Sequence, residues 1–149
     1  MVKGDIYIDV DGVLFAYYGS QLQLRPYVHS FLWWCAEAFE NCYWHTCWGN
    51  RFGDVLKFIY GSHIAHRFKD SNWNHSIGKM TGIDTTRLFI WVEDGLSTDE
   101  MKWLQQNGFM NNYIKVPFNG SPNALLTAKR KIQKKIQEWP ETLRREMNR

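Results

Sequence analysis

Two aspartates near the N-terminus have the residue type and the spacing for metal-assisted acid and base chemistry. Asp9 and Asp11 stand two residues apart, where an apolar segment gives way to Gly12. Side chains two positions apart in an extended chain project to the same side, so we expect the two carboxylates to converge. Both stay ionised only beside a cation or strong donors, and Mg²⁺ is the natural cation because it takes oxygen ligands. The alternative is a pair of aspartates that only caps a turn.

The sequence predicts strands that alternate with helices, which is typical of an α/β protein with a parallel sheet covered on both faces. Nearly continuous apolar runs mark the strands, and apolar residues at three- and four-residue spacing mark the helices. The predicted strands cover residues 5–10, 41–46, 87–92 and 113–116. The predicted helices are one that opens at Arg25 and Pro26 and has Phe39 on its apolar face, one through Val55, Phe58 and Ile59 that ends at Gly61, one from Ser97 to about Asn107, and one from Ser121 to Trp139.

Polar side chains follow three of these strands at the points where the strands end. They are Asp9, Asp11, Thr46, Glu93 and Asp94. In parallel α/β sheets, ligands bind at the carboxyl ends of the strands. The five residues therefore define a candidate site, in which the pair Glu93 and Asp94 supplies the remaining acidic ligand of a metal bound near Asp9.

Four segments, in order along the chain, contain these residues and a lysine. The set resembles the four motifs of the haloacid dehalogenase-like (HAD) superfamily, over roughly residues 5–116. An ordered set of four motifs is far more specific than any one of them. The resemblance implies a single Rossmann-like three-layer sandwich with a central parallel sheet. The segments read Asp9-Val10-Asp11-Gly12-Val13-Leu14, Tyr43-Trp44-His45-Thr46, Lys79, and Phe89-Ile90-Trp91-Val92-Glu93-Asp94.

The resemblance also implies a reaction and a role for each site residue. The chain would be a Mg²⁺-dependent phosphatase in which Asp9 attacks phosphorus and carries the phosphoryl group as an acyl phosphate. Asp11 would protonate the leaving oxygen and then deprotonate the attacking water. Thr46 would hydrogen-bond a phosphate oxygen, and Lys79 would neutralise charge on the transferred group. Asp9, Asp94 and the backbone carbonyl of Asp11 would hold Mg²⁺.

Two of these placements leave an alternative open, and two further residues are assigned to the substrate. Lys69 is the alternative to Lys79, although the spacing from Lys79 to the last motif resembles the family better. Glu93 is either a further metal ligand or a neighbour of the ligands, because many family members have two aspartates in this motif. Gly12 and Trp48 are predicted to contact the substrate.

The segments between the motifs leave no room for a large cap domain. Residues 15–25 are enough for a hairpin, and the stretch between Thr46 and Lys79 holds one helix and a strand-like segment. Residues 62–83 show weak periodicity, and no element is assigned to them. The chain thus resembles the capless phosphatase type of the family. An open site suits a nucleotide, a nucleic-acid end or a phosphoprotein, unless a homo-oligomer closes it over a smaller molecule.

Basic residues crowd the C-terminal region, which comprises a predicted helix and tail over residues 121–149. The net charge of +3 is small, but many of the lysines and arginines lie there, which favours a nucleotide or nucleic-acid substrate. A solvated helix face is the alternative explanation. The competing functional interpretation is a catalytically idle HAD-like module that binds a nucleic acid or a protein. The basic residues include Lys129, Arg130, Lys131, Lys134, Lys135, Arg144, Arg145 and Arg149.

The composition is that of one soluble globular domain over residues 1–149. With 44% hydrophobic and 22% charged residues, the chain is long enough for one core, expected over about residues 5–139, and too short for two ordinary domains. No apolar run has the length of a membrane span and no signal pattern precedes the first strand, so we expect a cytoplasmic protein without a membrane partner. The three cysteines form no Cys-x-x-Cys pair and are expected to be reduced thiols.

Overall fold

Five parallel strands form the central sheet, and a separate two-stranded hairpin follows the first of them. The computed structural model describes residues 1–49 and 51–144. The strands are β1 Val2–Ile8, β2 Phe15–Tyr18, β3 Gln21–Leu24, β4 Phe39–Trp44, β5 Phe68–Asp70, β6 Phe89–Glu93 and β7 Tyr113–Lys115. The helices are α1 Val28–Ala38, α2 Arg51–Tyr60, α3 Ser62–Arg67, α4 Thr98–Gln106, α5 Ala124–Glu138 and α6 Glu141–Arg144, with short 3₁₀ turns at Lys79–Gly82 and Met110–Asn112.

The order of the strands places β1 at the centre of the sheet. The strands run β5-β4-β1-β6-β7, and every neighbouring pair is parallel. Ile8 of β1 pairs with Trp44 on one side and with Val92 on the other. The chain builds one side of the sheet through β4 and β5, and then crosses to the other side of β1 to form β6 and β7. Such a reversal opens a crevice at the carboxyl ends of β1 and β6, where doubly wound sheets bind ligands.

Apolar side chains cover both faces of the sheet, as the continuous apolar character of its strands requires. Side chains alternate between the faces, so Ile6 and Ile8 enter the larger core while Tyr7 enters the smaller one. The larger core also contains the buried stripe of α5 and the buried face of α1, and Leu104 of α4 packs in the smaller core. The predicted α/β class with a central parallel sheet is therefore confirmed, and the arrangement is compatible with a Rossmann-like sandwich.

Several predicted strand boundaries are wrong, and those of the first two strands of the sheet matter most because these strands lead into the candidate site. The first strand ends at Ile8 rather than at residue 10, so Asp9 and Asp11 lie in the loop that follows. The second strand begins at Phe39, which the helical spacing assigns to the preceding helix, and it ends before Thr46. Phe39 has the right spacing to continue α1, but its backbone is extended and its ring is buried in the larger core.

The predicted helices are correct in position but partly wrong in the face that they bury. α2 ends before Gly61 as expected, and α4 begins with the predicted capping box at Ser97. Val55 of α2 is 40% exposed, however, and Phe52 is buried in its place. The side chains of Phe58 and Ile59 and the tail residues 145–149 lie outside the described residues.

Residues 62–83, to which the sequence pattern assigns no element, contain a short helix, the edge strand β5 and a 3₁₀ turn. β5 has only three residues, too few to show an alternation of apolar and polar side chains. The predicted hairpin is confirmed, since β2 and β3 pair in antiparallel fashion. Within residues 1–49 and 51–144, every helix falls short of the length and apolarity that a membrane crossing needs.

Candidate active site

Three carboxylates meet at the crevice between β1 and β6. Asp9 follows β1, and its backbone N–H donates to the carbonyl of Val92 at 3.0 Å. Glu93 ends β6, one residue beyond the predicted end of that strand, and Asp94 comes next. Asp9 and Glu93 are buried, with 6% and 2% of their surface exposed, whereas Asp94 is half-buried. One carboxylate oxygen of each residue lies within 4.8 Å of the other two, and we call Asp9, Glu93 and Asp94 the acidic cluster.

Lys79 brings a positive charge to the acidic cluster. Its Nζ lies 2.6 Å from Oε2 of Glu93 and 3.1 Å from Oδ1 of Asp9. The lysine begins a 3₁₀ turn, and its backbone N–H donates to Oε2 of Glu100 at 3.0 Å. Lys69, the alternative in the sequence, is exposed on the edge strand β5. The structure therefore places Lys79 against Asp9, and places Lys69 on the surface.

The acidic cluster has more negative charge than Lys79 can balance. If all three carboxylates were ionised, they and the ammonium of Lys79 would sum to a charge of −2. Burial, followed by the hydrogen bond and the charge of Asp9, raises the pKa of Glu93 against the opposing effect of Lys79, so the fully ionised cluster needs a proton or a further cation to offset its charge. Burial by itself would lower the pKa of Lys79, but Glu93 and Asp9 outweigh burial and the pKa is raised. The cluster therefore favours both a charged lysine and a further positive charge.

The donor atoms of the acidic cluster fit a hard divalent cation. All three donors are carboxylate oxygens, which are the ligands that Mg²⁺ takes in proteins. Carboxylates this close stay ionised together only beside a cation, and a charge of +2 balances the group. All three residues are among those that the sequence predicts for the metal, and Glu93, which also contacts Lys79, stays either a ligand or a neighbour of the ligands.

Asp11 lies outside the acidic cluster. Its exposed carboxylate accepts a hydrogen bond from the indole N–H of Trp48, with 3.0 Å between Nε1 and Oδ2. The expected convergence with Asp9 depends on an extended chain, but the backbone has left β1 and turns at Gly12, whose φ is +78°. The two aspartates therefore have different partners, which are Lys79 for Asp9 and Trp48 for Asp11.

Gly12 allows the loop after β1 to close on the acidic cluster. A Cβ at this position would overlap the carboxylate of Asp94 and come within 2.8 Å of Cδ2 of Phe118. The positive φ is a second reason for glycine here. The sequence predicts that Gly12 contacts a substrate, and the structure shows in addition that it packs directly against the cluster.

Arg25 holds the loop after β1 in place through hydrogen bonds to backbone carbonyls. Its buried guanidinium donates to the carbonyls of Gly12 and Asn119 at 2.8 Å each, and also to the carbonyl of Pro117. The arginine thereby ties the loop after β1 to the loop after β7. In the sequence, Arg25 indicates only the start of a helix, because nothing near it in the chain points to partners more than 90 residues away.

The loop after β4 runs along the carboxyl end of β1. The backbone N–H of His45 donates to the carbonyl of Ile8 at 2.8 Å, and Thr46 follows with 1% of its surface exposed. The carbonyl of Thr46 accepts the indole N–H of Trp73 at 3.2 Å. This loop therefore places Thr46 just beyond the strand that neighbours β1, where its Oγ1 accepts the backbone N–H of Trp48 at 3.4 Å, and its contact with a phosphate stays a prediction.

Exposed aromatic rings border the opening of the site. Trp48, which is bound to Asp11, is 40% exposed. Tyr17 of the hairpin and Phe118 of the loop after β7 are each about half exposed, and their ring centroids are 5.5 Å apart. We call Trp48, Tyr17 and Phe118 the aromatic rim. Rings of this kind offer flat surfaces on which a planar group can stack.

The predicted site residues thus fall into two groups, one in the crevice and one in the surrounding loops. Two residues outside these groups hydrogen-bond to their backbone: Glu100 accepts the N–H of Lys79, and Arg25 donates to the carbonyl of Gly12. Nothing in the neighbouring sequence of either residue indicates that contact. The sequence matches no protein-family model, and a comparison with curated proteins finds no significant match. The crevice group is Asp9, Lys79, Glu93 and Asp94, and the loop group is Asp11, Gly12, Thr46 and Trp48.

Proposed function

We propose that this chain is a HAD-like, Mg²⁺-dependent phosphatase that hydrolyses a phosphomonoester through an aspartyl-phosphate on Asp9. The observation that supports the proposal most is the contact between Asp9 and Lys79 within the acidic cluster, at the crevice between β1 and β6. The segments that meet there are those that resemble the HAD motifs. A carboxylate beside an ammonium and a site for a dication is the arrangement that phosphoryl transfer needs.

In the first step, a carboxylate oxygen of Asp9 attacks phosphorus, and the bond between phosphorus and the ester oxygen breaks. Asp11 gives its proton to the departing oxygen, so that the alcohol leaves in neutral form. The phosphoryl group stays on Asp9 as an acyl phosphate. Lys79, 3.1 Å from Oδ1 of Asp9, offsets the negative charge that gathers as the phosphate approaches, and Thr46 donates to a phosphate oxygen.

In the second step, Asp11 takes a proton from water while the water oxygen attacks phosphorus. The acyl phosphate bond breaks, inorganic phosphate leaves, and Asp9 returns to its carboxylate form. The exposed carboxylate of Asp11 suits both steps because it is open to the solvent that supplies the attacking water and takes up the leaving alcohol, while the hydrogen bond from Trp48 orients it.

Asp9, Asp94 and either Glu93 or the backbone carbonyl of Asp11 would hold Mg²⁺. The ion would supply positive charge where phosphate oxygens crowd against the carboxylates. Glu93 has a second role, because its contact of 2.6 Å with Lys79 keeps that ammonium beside Asp9. In this proposal the acidic cluster contacts Lys79 and would also bind Mg²⁺.

The open surroundings of the site favour a large substrate. The hairpin of β2 and β3 borders the crevice, and its eight strand residues are too few to enclose a substrate. A nucleotide, a nucleic-acid end and a phosphoprotein all fit an opening of this kind. The aromatic rim supports the first two, because it offers rings to a base.

The test is hydrolysis of p-nitrophenyl phosphate by the wild type and by two matched variants. We expect activity that requires Mg²⁺, that EDTA abolishes, and that Asp9→Asn loses because the amide cannot act as the nucleophile. Asp99→Asn removes a carboxylate from the exposed first turn of α4 and should keep the wild-type rate. Wild-type activity in Asp9→Asn would overturn the proposed mechanism.

A second candidate function is a catalytically idle module that binds a nucleic acid or a protein. The observation that favours it is the basic face of α5, which lies outside the crevice. A folded, Mg²⁺-loaded protein that binds a nucleic acid or a protein but hydrolyses neither p-nitrophenyl phosphate nor nucleotides would support this candidate over the phosphatase.

A further inference from the structure

A groove lined with lysines lies between the edge strand β7 and helix α5. Its cavity has a volume of about 400 Å³. The helix begins at Ala124 rather than at the predicted Ser121, and the groove follows its second half. We call this cavity the lysine groove, and its charged lining residues are Lys115, Lys131, Lys134, Lys135 and Glu138.

The lysine groove has a strong positive charge. Four lysines and one glutamate line it, which leaves three positive charges. Glu138 forms an ion pair with Lys135, at 3.6 Å. Lys115, Lys131 and Lys134 are exposed, and none of the three takes part in an ion pair among the described residues. The groove is therefore open to an anionic ligand.

The packing of α5 holds its lysines on one side. Ile132 and Ile136 are buried in the larger core, so the helix cannot rotate to disperse the charge. Lys131, Lys134 and Lys135 are neighbours, because residues three and four apart lie on the same helical face. Like charges at this spacing destabilise a helix, whereas alternating charges would stabilise it. A bound anion would remove this repulsion.

The lysine groove begins next to the candidate active site. Lys115, which lines the groove, pairs with Glu93 of the acidic cluster across the ladder between β7 and β6. The next residue, Val116, donates its backbone N–H to the carbonyl of Glu93 at 2.9 Å. A chain of anionic groups could therefore lie in the groove while its end reaches the crevice one strand away.

We propose that the lysine groove binds the sugar–phosphate backbone of a single-stranded nucleic acid, whose phosphorylated end enters the crevice at Asp9. Binding of the strand in the groove does not depend on catalysis. The entry of its phosphorylated end into the crevice, in contrast, rests on the proposed phosphatase function. Lysines match a backbone that repeats one negative charge per nucleotide. The aromatic rim lies at the opening of the crevice, where it offers rings to the bases nearest the phosphorylated end, and an acidic peptide has no need of such rings.

The experiment measures fluorescence anisotropy of a labelled single DNA strand of roughly 12 nucleotides, a length within the site sizes of such grooves. The strand has no terminal phosphate, and EDTA is present, so that binding is observed without catalysis. The groove variant combines Lys131→Gln with Lys134→Gln. The matched control combines Lys3→Gln with Lys102→Gln, which removes the same charge from exposed positions on β1 and α4.

We expect the wild type and the control to bind the strand, and the groove variant to bind it at least about tenfold more weakly at low salt. The logarithm of the binding constant falls linearly with the logarithm of the salt concentration, with a slope of about −0.7 for each phosphate contact. The groove variant loses two lysines, so the magnitude of its slope should be smaller by about 1.4. The proposal is overturned if the wild type does not bind, if the control loses as much affinity as the groove variant, or if a polyglutamate peptide binds the groove more tightly than the strand.

A failure of the groove and a failure of the phosphatase proposal give different results. If the groove proposal fails, hydrolysis of p-nitrophenyl phosphate persists without specific binding of the strand. If the phosphatase proposal fails, the strand binds through the lysines and no phosphomonoester is hydrolysed. The groove variant itself should hydrolyse p-nitrophenyl phosphate at the wild-type rate, because neither lysine contacts the acidic cluster in the structure.

Discussion

Gly12 shows how one missing side chain shapes the candidate site. The loop that carries Asp11 approaches the carboxylate of Asp94 so closely that a Cβ on Gly12 would overlap it. Gly19, at the tip of the hairpin, has a similar backbone with a φ of +64°, but nothing lies within 4 Å of the position of its Cβ. The two glycines therefore share a conformational requirement and differ in their surroundings.

We expect Gly12→Ala to weaken Mg²⁺ binding and Gly19→Ala to leave it unchanged. Alanine in the left-handed region costs about 1–2 kcal/mol at either position. Only the new methyl group at residue 12 would also displace the carboxylate of Asp94. Titration calorimetry with Mg²⁺ and urea unfolding of both variants separate the two effects. Equal Mg²⁺ affinities in the two variants would show that this close approach is unimportant for the metal.

His45 is a buried imidazole directly behind the site. Its Nδ1 lies 2.6 Å from Oγ of Ser71, and its ring packs edge-on against Tyr7 and Trp91. Burial, with the nearby charge of Lys79 as a smaller contribution, lowers the pKa of His45 to about 3. The imidazole is therefore neutral in the folded protein at any pH near neutrality.

This lowered pKa predicts a loss of stability as the pH falls. Below a pH of about 6.5, the unfolded chain binds a proton at His45 that the folded protein does not bind until about pH 3. The free energy of unfolding should therefore fall by up to about 1.4 kcal/mol per pH unit in this window. Urea unfolding near pH 7 and near pH 5 should show a drop that is about 2 kcal/mol larger in the wild type than in His45→Gln. An equal drop in both proteins would contradict the prediction.

At the scale of elements, the capping box of α4 also positions the proposed catalytic lysine. Ser97 accepts the N–H of Glu100 at 3.2 Å, and Oε1 of Glu100 accepts the N–H of Ser97 at 2.9 Å. The second oxygen, Oε2, accepts the backbone N–H of Lys79 at 3.0 Å. One buried carboxylate thus joins the start of a helix to the 3₁₀ turn that presents Lys79.

We expect Glu100→Ala to lower kcat for p-nitrophenyl phosphate and Ser97→Ala to leave it near the wild-type value. Both substitutions remove a capping interaction and should cost about 1 kcal/mol of stability. Only Glu100→Ala also frees the backbone of Lys79 from its partner. Urea unfolding reports the shared loss, and kcat with KM reports the difference. If the two variants lost kcat in parallel, the helix cap would act on the whole domain rather than on Lys79.

The sequence predicts most elements of the fold and the three acids of the crevice from local signals, whereas it indicates Lys79 only through the resemblance to the HAD motifs, with Lys69 as the alternative. A short apolar run followed by an acid marks β1 and β6, and the spacing of Ser97 and Glu100 marks the start of α4. Distant contacts have no such signal. Arg25 bonds to Asn119 across 94 positions, and the three residues of β5 are recognised as a strand by their pairing with β4. The second contact of Glu100 is likewise visible only once α4 and the turn at Lys79 are packed together.

For the whole molecule, the charge of the acidic cluster should couple stability to Mg²⁺. A cation that binds only the folded chain stabilises it by about 2.7 kcal/mol at a concentration a hundredfold above its Kd. For a domain of this size, we expect Tm to rise by roughly 5–10 °C, at the same total ionic strength set with KCl. Asp94→Asn should show a much smaller rise, because it removes one of the three carboxylates. A rise of the same size in Asp94→Asn would place the stabilising ion elsewhere.

The strands at the two margins of the sheet are its shortest. β5 and β7 have three residues each, whereas β1 at the centre has seven. The margin of an open sheet exposes backbone donors and acceptors that can recruit a strand from another molecule, and long, flat margins lead to aggregation. Both margins are short, so they offer few backbone groups to a strand from another molecule. Each also has an exposed lysine, Lys69 in β5 and Lys115 in β7. The sheet is therefore protected against polymerisation through its margins, even though it is not closed into a barrel.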